Sequence, residues 1–111
     1  MNKRLRFAIV AASLIILGSC AAKKAVVLSQ TDAERAANKF PGATLASLNE
    51  GKQHYENNCG TCHGLKSPTS ESEAEWRNIV PDMAQKAKVD SKTEDLILQY
   101  VITMSMASAT K

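Results

Sequence analysis

This chain has no stretch that alternates apolar and polar residues with a period of two, so it offers no half-buried strand. An all-α fold is expected. It has no excess of charge once the first residues are set aside. Lys3, Arg4 and Arg6 equal the net charge of +3, and eleven basic side chains then balance eleven acidic ones. The pI near 8.8 describes the whole chain, and the rest carries no basic footprint for nucleic acid. There are no internal repeats and no low-complexity runs. Cysteine is scarce and odd in number, with three in 111 residues beside two histidines. No two separated Cys/His pairs exist, which argues against a structural zinc site with four protein ligands. No βαβ pattern surrounds the one C-x-x-C, which argues against a thioredoxin-like redox pair.

A short apolar run without charge occupies residues 7–17. It follows the basic start and is too short to span a bilayer comfortably, which is the pattern of a secretory signal peptide. A short uncleaved anchor is the alternative. The run ends in Leu17-Gly18-Ser19-Cys20, which resembles the lipobox of bacterial lipoproteins. That resemblance implies a diacylglyceryl thioether on Cys20, and two or more acyl chains anchor stably where one binds marginally. A plain secretory cut near Ser19 or Ala22 is the bland reading. The expected location is the periplasmic face of a bacterial membrane. The expected organisation is a lipoprotein signal peptide at 1–19, a lipid-anchored flexible tether at 20–46, one small domain at 47–106 and a tail at 107–111. A tether of about 25 residues reaches at most ~80 Å.

Cys59-Gly60-Thr61-Cys62-His63 reads C-x-x-C-H, the attachment site of a c-type haem. Two thiols add across the porphyrin vinyl groups, and the adjacent His63 offers its imidazole to the iron. With Cys59 and Cys62 so used and Cys20 at the lipobox, no cysteine remains for a disulfide. The second axial ligand is open among His54, Met83, Met104, Met106 or a vacant position. His54 lies nine residues before His63 on the approach helix and suits an exposed surface role. Met104 and Met106 sit at a fraying end. Met83 follows Pro81, where the backbone can aim a thioether, and it is the favoured ligand. A Met in a helical stripe is ordinarily core, but a haem would itself be the core here. A soft thioether raises the potential relative to His/His ligation. The carbonyl of Pro68 is a candidate acceptor for the second N–H of His63.

Three helices are legible, and a fourth at Ser29 to Asn38 is weakly marked by Asp32 and Glu34 in its first turn. The first strong helix is expected to start at Ser47 as N-cap with Glu50 completing a capping box, and to deliver Cys59. The second starts near Ser72 with Glu75, carries the stripe Trp76, Ile79, Val80, Met83, Ala84 and Ala87, and meets a kink or restart at Pro81. The third has Ser91 as N-cap and Glu94, then Leu96, Ile97, Tyr100, Val101 and Met104 on one face. Leu98 and Ile102 widen that face, as in a helix covered on more than one side. Some 65 residues bury little apolar surface unaided, so a covalent haem with two crosslinks is the expected staple.

From about Leu45 to Met104 the chain resembles class I c-type cytochromes, the short bacterial mono-haem kind. The likeness rests on Gly51, Tyr55, Cys59-Gly60-Thr61-Cys62-His63-Gly64-Leu65, Trp76, Val80, Met83 and a last helix bearing Tyr100. It implies one covalent haem c held by Cys59 and Cys62, with His63 and Met83 as axial iron ligands and an exposed haem edge for electron exchange. It also implies that Gly51 and Tyr100 meet where the first and last helices cross. One departure stands out. Only nineteen residues separate His63 from Met83, fewer than in many class I members.

The expected function is a mono-haem electron carrier that exchanges single electrons with a redox donor and acceptor and performs no catalysis. Three alternatives stay open: the haem subunit of a larger periplasmic dehydrogenase or oxidase, a five-coordinate haem reacting with peroxide or binding a gas, and a non-haem use of Cys59, Cys62 and His63. Lys52, Lys66, Lys86, Lys88 and Lys92 form either an acidic-partner patch or, interleaved with Glu71, Glu73, Glu75 and Asp82, a mixed solvated face. The solvated face is favoured.

Overall fold

The computed structural model describes residues 26–60 and 64–108. Four helices and one 3₁₀ turn make up these residues, with no strand among them: α1 Gln30–Lys39, α2 Leu45–Cys59, the turn Pro68–Ser70, α3 Glu73–Ala87 and α4 Ser91–Ser108. The all-α expectation holds. The signal peptide of 1–19 and Cys20 lie outside the described residues. Among the described residues no helix is long and apolar enough to cross a membrane.

Each helix starts where a short polar side chain closes its first turn. Ser29 caps α1 and Asp32 returns the bond: the Ser29 N–H and hydroxyl donate to Asp32 Oδ2 at 2.8 and 2.9 Å. Ser72 and Glu75 close α3 in the same way, as expected. Two starts differ from the sequence reading. Helix α2 begins three residues earlier, with Thr44 as cap and Ser47 as its reciprocal partner at 2.9 and 3.1 Å. Ser47 and Glu50 are therefore inside the helix. The earlier start places Leu45 against the core. At α4 the cap is Asp90, whose carboxylate accepts the Thr93 N–H at 2.8 Å, and Ser91 is the first helical residue. Helix α3 runs unbroken through Pro81, which is exposed, so neither a restart nor a break occurs there. It stops at Lys88, a left-handed residue with φ 56° whose neighbour Val89 donates back to the Ala84 carbonyl at 3.1 Å. That is the usual way for a helix to satisfy its last carbonyls.

Helix α4 is the hub, with α1, α2, α3 and the 3₁₀ turn all making their main contacts with it. Leu96, Ile97, Tyr100, Val101 and Ile102 are each at most 8% exposed, so α4 is covered on several sides, as its wide apolar face predicts. The crossing with α2 is close because Gly51 has no side chain. A Cβ there would lie 2.1 Å from the Leu96 carbonyl oxygen and 3.1 Å from Tyr100 Cβ. Tyr55, one turn on from Gly51, packs against Tyr100 and stands edge-on to Trp76 at 6.0 Å between centroids.

The tether expected at 20–46 is folded from Leu28 onward. Leu28, Ala33 and Ala36 join the core. Arg35 spans α1 and α4, pairing with Asp32 at 3.0 Å and donating to the Thr103 carbonyl at 3.4 Å. Alanine reads as tether-like in sequence, yet it lets α1 approach α4 closely. The C-terminal side differs in the same sense, since α4 continues to Ser108 past the expected domain end at 106.

Candidate haem-attachment site

Helix α2 carries Cys59, the first residue of the motif, on its last turn. Cys59 is the final helical residue, half-buried and in no disulfide. It packs against the edge of the apolar core, and burial pushes its thiol pKa up. A neutral thiol at an apolar edge is held in reserve and is not an exposed reactive thiolate. Thr61, Cys62 and His63 lie outside the described residues. Past them the chain returns as an irregular segment over residues 64–67 and then the 3₁₀ turn.

Two side chains pin that return. The Tyr55 hydroxyl donates to the Lys66 carbonyl at 2.6 Å, and the Trp76 indole N–H donates to the Pro68 carbonyl at 2.9 Å. Both rings are buried, so each donor satisfies its polar end while its body fills the core. Burial, with the neighbouring Cys59, Tyr100 and Glu71 adding to it, raises the Tyr55 phenol well above its ordinary range, which keeps it a donor. The bond from Tyr55 is invisible to periodicity, because Lys66 offers only its backbone. The Pro68 carbonyl, expected to orient His63, is used by Trp76; a carbonyl has two lone pairs, so a second donor still fits.

The surroundings suit a large apolar group. Leu65 is 43% exposed and lies against Gly60, its Cδ1 3.7 Å from where a Cβ would stand. Ile79 is half-buried at the core edge. Two surface cavities, of about 400 Å³ between α1 and the start of α2 and about 290 Å³ around Phe40 and Arg77, are lined by neither Cys59, Leu65, Ile79 nor Met83. A free half-buried thiol, an exposed leucine against the adjoining Gly60 and a pinned loop fit a covalently held macrocycle that would complete the cover.

The methionines separate. Met104 and Met106 pack against the core cluster from α4, whereas Met83 is half-buried on α3 and outside that cluster. Trp76, Val80 and Ala84 form the buried stripe of α3, and Met83 stands beside it. His54 lies on α2 with Glu50 one turn away at 3.7 Å, a surface placement. Lys52, Lys66 and Lys86 are paired with Glu56, Glu71 and Asp82 at 2.8, 2.7 and 2.7 Å. Three of the five lysines named from sequence thus have an acidic neighbour.

Residues 48–109, more than half of the chain, match the family model described as cytochrome c. Neither the curated proteins nor the solved structures yield a match.

Proposed function

The chain belongs to the cytochrome c family, and we propose that it carries single electrons on the periplasmic side of a bacterial membrane, lipid-anchored at Cys20. Membership supplies the coarser part: a c-type haem electron carrier with one covalent haem c. When bound, the haem would supply a one-electron ferric/ferrous couple.

The chain's own residues do the rest. Cys59 and Cys62 would hold the group as thioethers, and His63 and Met83 would be its iron ligands. Bound by both ligands, the group would be closed to substrate, as suits a carrier more than a peroxidase or a gas sensor. Tyr55 and Trp76 hold the loop after the motif at Lys66 and Pro68. A loop fastened at two points limits what would have to rearrange around a redox group. The observation that carries this reading is the half-buried, unpaired Cys59 thiol at the apolar edge where α2 ends. The choice of Met83 is supported by its place outside the core that engages Met104 and Met106.

In the holoprotein, Met83→Ala is expected to remove the weak thioether-to-iron absorption band of the oxidised form and to lower the potential, while Met104→Ala keeps the band. Retention of the band in Met83→Ala overturns the ligand assignment. Carbon monoxide binding to the native ferrous protein without denaturant would favour a five-coordinate haem instead.

A further inference from the structure

Helix α1 lies before the span of residues 48–109 that matches the family, yet it is built into the core. Leu28 is 8% exposed, Ala33 4% and Ala36 0%. Arg35 ties α1 to the Thr103 carbonyl of α4, and Asp32 holds Arg35 in turn. Burial alone would raise the Asp32 pKa, but hydrogen bonds from Ser29 and the Arg35 charge overcome it and hold the carboxyl below its usual range.

The other end of α1 reaches α3. Phe40, which caps the end of α1, donates its N–H to the Ala36 carbonyl at 2.7 Å and packs against the core. The Arg77 guanidinium lies over its ring, 5.9 Å from the centroid. Glu73, the first residue of α3, uses both carboxylate oxygens. Lys39 of α1 donates to Oε2, and Arg77 donates to Oε1 from Nε and Nη2 at 3.0 and 2.9 Å. The bond from Lys39, joined by those from Arg77, holds the Glu73 carboxyl below its usual range. Four side chains from the two elements close one ring of contacts.

That ring sits midway along the segment between the two expected axial ligands. Glu73 stands ten residues after His63 and ten before Met83. The Tyr55 hydroxyl fixes the segment at Lys66, and Lys39 fixes it at Glu73. Beyond Glu73, α3 runs unbroken past Met83. Trp76, Val80 and Ala84 are buried along it, but apolar burial is non-directional and does little to stop a helix from sliding or turning. Hydrogen bonds do that. Among the described residues two of them join α3 side chains to other elements: Trp76 to Pro68 and Glu73 to Lys39.

We propose that α1 is a brace for the iron site, and that Glu73, held by Lys39, is a positioning residue that fixes α3 so that Met83 stays on the iron. This rests on the reading of Met83 as an axial ligand. Glu73 acts through the helix, about 15 Å away along its axis.

The test uses the haem-loaded full chain in the ferric state. Added imidazole competes with the Met83 thioether for the iron, and loss of the thioether-to-iron band follows the exchange. Looseness in α3 makes that exchange easier. Lys39→Met and Glu73→Gln should each raise the apparent imidazole affinity about twofold to fivefold, the effect of losing a partly exposed ion pair. Lys86→Met removes the exposed pair with Asp82 inside α3 and should leave the affinity unchanged. A lower Tm with unchanged imidazole affinity in the Lys39 and Glu73 variants makes the contact merely structural and overturns the brace. An equal rise in Lys86→Met overturns it too. Absence of the band from the native ferric protein, or its retention in Met83→Ala, overturns the ligand reading and the brace with it.

Discussion

The close crossing of α2 and α4 makes Gly51→Ala the sharpest test of this architecture. The added Cβ would sit 2.1 Å from the Leu96 carbonyl oxygen and 2.8 Å from its carbonyl carbon. Comfortable contact between such atoms needs ~3.5 Å, so the helices must part by roughly 1 Å or more. Neither obstacle is the end of a flexible side chain; both are backbone of a helix packed on several sides. One surplus methyl in a tight core costs about 1–3 kcal/mol, and a backbone block belongs at the top of that range. Alanine returns up to about 1 kcal/mol of helix propensity. The net expectation is a loss of about 2 kcal/mol. For a domain of this size that lowers the Tm by about 10–15 °C, read by far-ultraviolet circular dichroism on the haem-loaded protein. A Tm unchanged or raised would refute the crossing as described. Gly42→Ala is the contrast: its φ of +86° strains any side chain, yet nothing lies within 4 Å, so an asparagine there should recover much of the loss.

The other predictions concern charge and acidity. Asp32→Asn keeps a cap acceptor but loses the charge that pairs with Arg35, and should cost about 1 kcal/mol in denaturant unfolding at neutral pH. Because the folded-state pKa of Asp32 is depressed, its contribution is present above the unfolded value near 3.8 and is lost as pH falls through the folded one. The gap between native and Asp32→Asn chains should therefore close below about pH 4; a gap that persists there would contradict the assignment. Burial, with Glu56 nearby, raises Tyr100 to about 12. A raised phenol is stabilising below the unfolded value near 10 and loses that contribution as pH rises through 12, so stability should decline from about pH 10. Tyr100→Phe should flatten that decline when urea midpoints are followed against pH.

Local signals read well in this sequence, and long-range ones did not. Ser72 with Glu75 closes α3 where expected, because both members of the box lie within one turn. Ser47 with Glu50 has the same spacing and is wrong: Thr44 with Ser47 competes for the same helix, and burial of Leu45 decides between them. Ser91 misses by one residue because Asp90 beside it is an equally good cap. The C-x-x-C-H motif is legible as chemistry, as is the Trp76, Val80, Ala84 stripe behind it. The bonds that shape the loop after the motif end on the carbonyls of Lys66 and Pro68, and a carbonyl has no letter in the sequence. The docking of α1 was missed for a related reason. Ala33 and Ala36 are buried because they are small enough for α4 to come near, and smallness alone also describes a linker.

The hub position of α4 has a consequence for the order of events during synthesis. The chain emerges from its N-terminus, so α1, α2 and α3 all exist before the element against which each of them chiefly buries its apolar side. The meeting of Gly51 with Leu96 closes a long loop, and the entropy of that closure is recovered only when the last helix arrives. Until then the face of α2 that bears Gly51 and Tyr55 lacks its main partner. The architecture thus leaves that face uncovered until the final eighteen-residue helix arrives to close it.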